Sequence, residues 1–372
     1  MRAEWKKHTL EFVKPMGTSR GVMQTHDVYI LSLHDETTGC TGLGECSPLP
    51  GLSIDARPDF TEKLSEVCDH INSHLGSSLD FSLSSLTQTT LLNRKVKSQD
   101  LTPFVLDTDL ESWPSIRFAL ESAHRDLETG GKQLLFESDF TRGKLSIPIN
   151  GLVVMNDTET MLREAIAKVE SGFDCIKIKI GALDFEKECK LLAEIRKRCA
   201  PDKVQLRLDA NGAFAPDEAF EKLERLSSFH IHSIEQPIKT GAFSVMEKLC
   251  CESPIPIALD EELIGIHDRD EKEKLITTIR PHYLILKPTL LGGIAACEEW
   301  ITLAKKHHIG YWITSALESN VGLNVIAQWT ATLNPTIHQG LGTGLLYKNN
   351  FENSLKIKEG KLWYVSTSSG PK

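Results

Sequence analysis

Ile176-Lys177-Ile178-Lys179-Ile180 alternates apolar and basic residues with the period of a β-strand, three isoleucines on one side and two lysines on the other. On an exposed edge strand those lysines would be solvated. In a closed parallel barrel there is no such edge; the isoleucines would pack on outer helices and the lysines would point inward. The flanking sequence decides for the barrel. From Leu145 onward, β-rich runs at 147–155, 175–180, 204–210, 231–238, 256–262, 283–290, 309–317 and 338–341 alternate with helical stretches such as 158–170, 185–198, 217–226 and 294–307. Eight strands with seven intervening helices close naturally into a parallel barrel. The chain after His338 is too irregular for an eighth helix and is expected to return toward the first module.

Four later strands carry one charged residue each at the C-terminal end: Asp209, Glu235, Asp260 and Lys287. From Lys179 onward the successive separations are 30, 26, 25 and 27 residues, one charged group per βα unit. Barrel enzymes carry their active sites at that end. Singly, each carboxylate could be an ordinary strand end or turn. Together, three converging carboxylates would repel one another unless a cation sat between them. Oxygen donors with open positions suit a hard ion such as Mg²⁺, with Mn²⁺ as a substitute.

Residues 1 to about 140 lack the βα rhythm. Strands are predicted at 5–13 and 24–34, with a Pro/Gly-rich loop between them (Pro15, Gly17, Gly21), and helices at 60–75 and 113–127, with Pro114 in the first turn of the second. This half reads as an α+β module in which 93–109 has no assignment. A net charge of −9 without a polybasic stretch argues against nucleic acid or anionic membranes as partners. Nine scattered cysteines without a CxxC pair read as reduced thiols. No apolar signal segment opens the chain, and the charge-free window 319–337 holds Asn320, Asn324, Gln328 and Asn334, so it reads as a helix buried in protein. A cytoplasmic location is expected. His230, His232, His307 and His308 read as structural, and Gly340 to Gly344 as a turn lining the pocket.

The Lys-x-Lys strand (Lys177, Lys179), the three carboxylate strands and Lys287 resemble the enolase superfamily in its muconate-lactonizing-enzyme subgroup. Gly42-Leu43-Gly44-Glu45 and Pro48 resemble that family's capping domain. The resemblance implies a modified TIM barrel, (β/α)7β, with an α+β N-terminal capping domain: a cap over 1–140, a barrel over 141–345 and a segment over 346–372 returning to the cap. Within the subgroup, Pro148 to Val153, Leu259 to Leu263, Leu286-Lys287-Pro288, Thr314 to Ser319 and Gln339 to Thr343 resemble the o-succinylbenzoate synthase family.

That resemblance implies a Mg²⁺-dependent syn-dehydration of 2-succinyl-6-hydroxy-2,4-cyclohexadiene-1-carboxylate to 2-succinylbenzoate through an enediolate. Asp209, Glu235 and Asp260 are the expected metal ligands and Lys179 the base. Lys177 and the metal should lower the pKa of Lys179, and Lys287 should face the intermediate as a cation. Ser315, Asn211 and Arg20 are the expected substrate contacts, Arg20 lying in a loop, 15–23, that closes over the site. The alternative is an N-acylamino acid racemase or dipeptide epimerase on the same scaffold. The Asp-x-Asp pair with which dipeptide epimerases hold an ammonium is missing from the eighth strand. The expected partner is a small carboxylate substrate, and a homo-oligomer is left open.

Overall fold

Residues 1–18, 21–74 and 110–365 are described by the computed structural model; Arg20 and the stretch 93–109 lie outside the described residues. The N-terminal part is a three-stranded antiparallel sheet of β1 (Arg2–Thr18), β2 (Gly21–His34) and β3 (Thr41–Cys46), covered by α1 (Phe60–His74) and α2 (Pro114–Glu128). Phe60, Leu64, Val67 and Ile71 of α1 meet Ile116, Ala119 and Ala123 of α2 over Leu31 and Leu33 of β2. Their spacing in both helices is the i, i+3, i+4, i+7 stripe that buries one face. β3 lies flush on α2 because a Cβ at Gly44 would stand 1.9 Å from the carbonyl oxygen of Ala119.

The segment expected to be a loop at 15–23 is instead the end of a hairpin. Met16 pairs with Met23, Gly17 with Val22 and Thr18 with Gly21, after a register shift between Glu11 and Met16. Pro15, which has no N–H to donate, falls within that irregular stretch, so the ladder resumes beyond it.

The remaining chain follows the predicted rhythm. After β4 (Ile147–Pro148), the barrel strands are β5 (Gly151–Val153), β6 (Cys175–Lys179), β7 (Gln205–Asp209), β8 (Ile231–Glu235), β9 (Ile257–Leu259), β10 (Tyr283–Leu286) and β11 (Gly310–Ile313). They form one parallel sheet in chain order. The isoleucines at 176 and 178 and the leucines at 206 and 208 are wholly buried toward the helices. Several strands end earlier than the sequence suggests. Pro288 opens a short helix, α3 (Pro288–Leu291), and β9 gives way to a 3₁₀ turn, Glu261–Leu263.

The eighth strand shrinks to two parallel bridges: Gln339 with Ile149 on one side of the gap, and Gly340 with Thr314 on the other. Those two residues join the first and seventh strands of the sheet and close the ring. Beyond them the chain returns to both neighbours. β12 (Leu355–Lys358) pairs with β13 (Lys361–Tyr364), which in turn pairs with β4, while Val13 N–H donates to Leu346 O and Lys348 N–H to Glu11 O, both at 2.8 Å.

The charge-free window forms α4 (Asn320–Thr332). Its polar residues are tethers: Gln328 Oε1 accepts from Leu135 N (2.9 Å) and Phe136 N (3.1 Å), and Asn324 Nδ2 donates to Gln133 O at 2.9 Å. No helix among the described residues is long and apolar enough to cross a membrane. Two carboxylates of the N-terminal part cap barrel helices. Glu45 accepts from Ser319 N (2.7 Å) and Gly322 N (2.8 Å) at the start of α4, and Glu121 from Ile294 N (2.6 Å) at the start of the helix Ile294–Lys306.

Candidate active site

The parallel register brings the strand ends together. Lys179 stands opposite Asp209, and Asp209 opposite Glu235. Asp260 follows the last residue of β9, and Lys287 the last residue of β10. Asp209, Glu235 and Asp260 are all essentially buried. A carboxylate there without a countercharge would cost several kcal/mol, on the order of the penalty for any unpaired buried ion, and lysines supply the countercharge. Lys177 Nζ lies 2.9 Å from Asp209 Oδ2 and also bonds Glu235 Oε2. Lys179 Nζ donates to Asp209 Oδ2 at 3.0 Å and to Asn211 Oδ1 at 2.6 Å, and Lys287 Nζ bonds Asp260 Oδ2.

These pairings set the charge states. Burial alone would lower Lys177, but Asp209, Glu235 and Asp260 outweigh it and hold it well above the ordinary lysine value. Burial would likewise raise Asp209, yet Lys177, Lys179 and Lys287 keep it far below the usual carboxylate range. Glu235 goes the other way: burial and the neighbouring Asp209 and Asp260 carboxylates push it up against the pull of Lys177. Lys287 is raised, the attraction of Asp260 and Glu261 exceeding its desolvation.

Among the described residues, no three His, Cys, Asp or Glu side chains stand in a ready-made metal cage. The carboxylates are turned to ammonium groups. The donor set nevertheless suits a hard divalent ion: three carboxylates at successive strand ends, with Glu235 Oε1 buried and without a hydrogen-bond partner. An ion entering here would compete with Lys177 for the same carboxylate oxygens.

Above the charges lies a cavity of about 330 Å³, walled by Lys177, Lys179, Lys287, Asn211 and Ser315 and roofed by Met16, Val22 and Met23 of the hairpin. The expected substrate contacts fare unequally. Ser315 lines the cavity, but its hydroxyl donates to Glu318 and accepts from Thr343 Oγ1 (2.8 Å) and Leu317 N (3.2 Å), which uses its whole capacity. Asn211 also lines it, with its amide held between Lys179 and Glu261 Oε1, the latter at 2.8 Å. Its left-handed backbone, φ 45°, is a conformation asparagine tolerates better than most residues. Arg20 is outside the described residues.

The reading of single residues missed Glu318, which is fully buried and also accepts from Thr289 Oγ1, so it ties the residues after Lys287 to Ser315. Its place three residues after Ser315, as the one charged residue between His308 and His338, was the available signal. His232 stacks against Tyr283 with ring centroids 5.3 Å apart, and His307 pairs with Glu273 at 2.7 Å, both as structural partners. The nine cysteines are free thiols.

The family model described as Enolase C-terminal domain-like matches residues 160–370. The o-succinylbenzoate synthase of Desulfotalea psychrophila is 44% identical over 370 residues, covering 97% of this chain and 98% of that one. The crystal structure of MenC from the same organism superimposes with a TM-score of 0.81 at 40% identity, over 98% of this chain and 99% of that one. The D-Ala-D/L-Ala epimerase of Cytophaga hutchinsonii is 24% identical over 354 residues, covering 93% and 88% of the two chains. A dipeptide epimerase structure from that organism, complexed with Mg and D-Ala-L-Val, has a TM-score of 0.78 at 22% identity, over 97% and 92% of the chains, which shows shared fold alone. With its barrel, its N-terminal sheet and a full-length relative at this identity, the chain belongs to the enolase superfamily and, within it, to the o-succinylbenzoate synthase family.

Proposed function

We propose that this chain is a carbon–oxygen lyase that dehydrates 2-succinyl-6-hydroxy-2,4-cyclohexadiene-1-carboxylate to 2-succinylbenzoate. The observation that carries the reading is 44% identity to an o-succinylbenzoate synthase along nearly the whole chain, against 24% to an epimerase. The setting we assign is cytoplasmic, with Mg²⁺ as the metal and Mn²⁺ as a substitute.

Asp209, Glu235 and Asp260 would hold the ion. Bound there, it would supply positive charge for the substrate carboxylate as negative charge develops on it. Lys179, as the free amine, takes the proton α to that carboxylate. A carbon acid of this kind is far weaker than an ammonium, and each pKa unit of mismatch costs about 1.4 kcal/mol. Lys287 remains cationic and faces the charge from the opposite side of the barrel. Lys177 stays protonated and balances the charge of Asp209 and Glu235. Loss of the ring hydroxyl on the face from which the proton left lets Lys179 return that proton, so one water departs and the ring becomes aromatic.

The test is direct. The Mg²⁺-loaded enzyme should convert the cyclohexadiene acid rapidly, followed by the aromatic absorbance of the product, and exchange the α-proton of N-succinyl amino acids much more slowly. Turnover of the amino acid derivative alone would assign the racemase reaction instead, with the lysine roles unchanged.

A further inference from the structure

The roof of the cavity has two halves, both supplied by the N-terminal part. Met16, Met23 and Thr25 come from the β1–β2 hairpin, and Leu49, Pro50 and Leu52 from the chain after β3. Each half rests on the barrel separately. Met16 and Met23 pack with Tyr347 and Leu317, whereas Leu49 and Leu52 pack with Leu290, Ala316 and the same Leu317. The second half is tied into a turn: Leu49 N–H donates to Ser53 Oγ (2.8 Å) and Ser53 N–H to Leu49 O (2.9 Å). Asp55 Oδ2 then accepts from Ser115 N of α2 at 2.8 Å. The hairpin half follows the register shift between Glu11 and Met16 and has no such turn to fix it.

Backbone pairing between β2 and β3 stops at Tyr29 and Cys46, short of both halves. Past that point a side-chain bond bridges them: His26 Nε2 and Ser47 Oγ stand 2.7 Å apart. Both residues are buried, 3% and 0% exposed. Burial lowers the His26 imidazole to about 4, against the pull of Asp27, so it is neutral at neutral pH. A neutral imidazole offers one donor and one acceptor, and a hydroxyl can take either part, so the bond forms in either tautomer. Away from solvent, each group depends on the other for its hydrogen bond.

We infer that His26 and Ser47 are positioning residues that latch the two halves of the roof into one body, so that the chamber meets its substrate with its width already set. Neither lines the cavity; both act through their chain neighbours Met23, Thr25 and Leu49. A wall organised in advance lowers the cost of binding and leaves the chemical step alone. This rests on the lyase reading above only for the choice of substrate.

The experiment is a double-mutant cycle on the Mg²⁺-loaded full chain, with Ser47→Ala, His26→Leu and the two together, and with His26→Gln as the conservative variant. Thermal melts verify that each is folded. Each single change should raise KM about fivefold, equivalent to about 1 kcal/mol, with kcat within about twofold of wild type. The double variant should be no worse than either single one, since the same bond is lost in all three. His26→Gln should recover part of the loss. Amide exchange over 21–25 should quicken about fivefold in Ser47→Ala, with the barrel strands unchanged. If His26→Leu does not fold, Ser47→Ala and His26→Gln decide by the same measurements. Additive effects on KM, an unchanged KM in folded single variants, or a fall in kcat at constant KM overturns the latch. A wild-type enzyme that acts on N-succinyl amino acids and not on the cyclohexadiene acid overturns the lyase reading, and the same cycle on that substrate still decides the latch.

Discussion

Lys179 must lose a proton before it can accept one, and its ammonium is held by Asp209 and Asn211. Replacing it with alanine removes the base but leaves Asp209 its second partner, Lys177 at 2.9 Å. Lys179→Ala should therefore lose about 10²–10⁴-fold in kcat, the span of general acid–base groups, with a melting temperature close to wild type; calorimetry and single-turnover kinetics check both. Chelation should likewise abolish turnover, and Asp260→Asn should weaken Mg²⁺ binding in a titration monitored without substrate. Equal metal affinity in that variant would remove Asp260 from the ligand set. The lysines and carboxylates were legible in the sequence because a strand's period of two is local: Ile-Lys-Ile-Lys-Ile declares its faces by itself. The state of Ser315 was not. Its hydroxyl is consumed by Glu318 and Thr343, the latter 28 residues away, and no local pattern encodes that meeting.

Among the elements, the hairpin of β1 and β2 shows how a roof is attached to a barrel. Tyr347 packs its ring on Phe12, centroids 4.7 Å apart, and donates its hydroxyl to Leu317 O at 2.6 Å. Phe12, Met16, Tyr347, Met23 and Leu317 share one apolar cluster, and Met16, Met23 and Leu317 line the cavity. Leu317 has φ 66°, a conformation that costs a side-chain-bearing residue on the order of 1 kcal/mol or more, and the Tyr347 hydroxyl helps hold it there. Tyr347→Phe should raise KM about fivefold, the worth of about 1 kcal/mol, with kcat nearly unchanged. Steady-state kinetics on the cyclohexadiene acid would measure it, and an equal fall in kcat at constant KM would contradict a seating role. The two strands of the hairpin were legible, but their continued pairing from Met16 to Thr18 and from Gly21 to Met23 was not, because Pro15, Gly17 and Gly21 announce a loop, while the ladder that overrides them needs a partner strand to be seen. The eight-strand rhythm, by contrast, was legible through repetition, although strand ends drifted where Pro288 or a 3₁₀ turn cut them short.

For the whole molecule, the joint between the N-terminal part and the barrel depends on two carboxylates with unusual acidities. Burial lifts Glu45 to about 7, with Glu318 nearby, against the donors of Ser319 and Gly322. Burial likewise lifts Glu121 to about 7 against those of Ile294 and Ala295. Between 4.5 and about 7 the folded chain retains protons that the unfolded chain has released. This contribution to stability is fully present below that window and is lost as pH rises through it, by at most roughly 3 kcal/mol per group. Urea melts at pH 5 and pH 7.5 should show a shallower fall for Glu45→Gln than for wild type, and an identical slope would rule out Glu45 as a source. The closure of the ring at Gln339 and Gly340 has a consequence of another kind, in time. Every neighbouring pair in the seven-stranded sheet joins segments one βα unit apart, whereas Ile149–Gln339 joins the first strand to the far end of the chain. Contacts so distant along the chain form late, after the local ones have shortened the path between them. Asn150 and Thr314 flank that last closure, so a nascent chain acquires its lysines and carboxylates in sequence but has no finished binding chamber until the ring shuts.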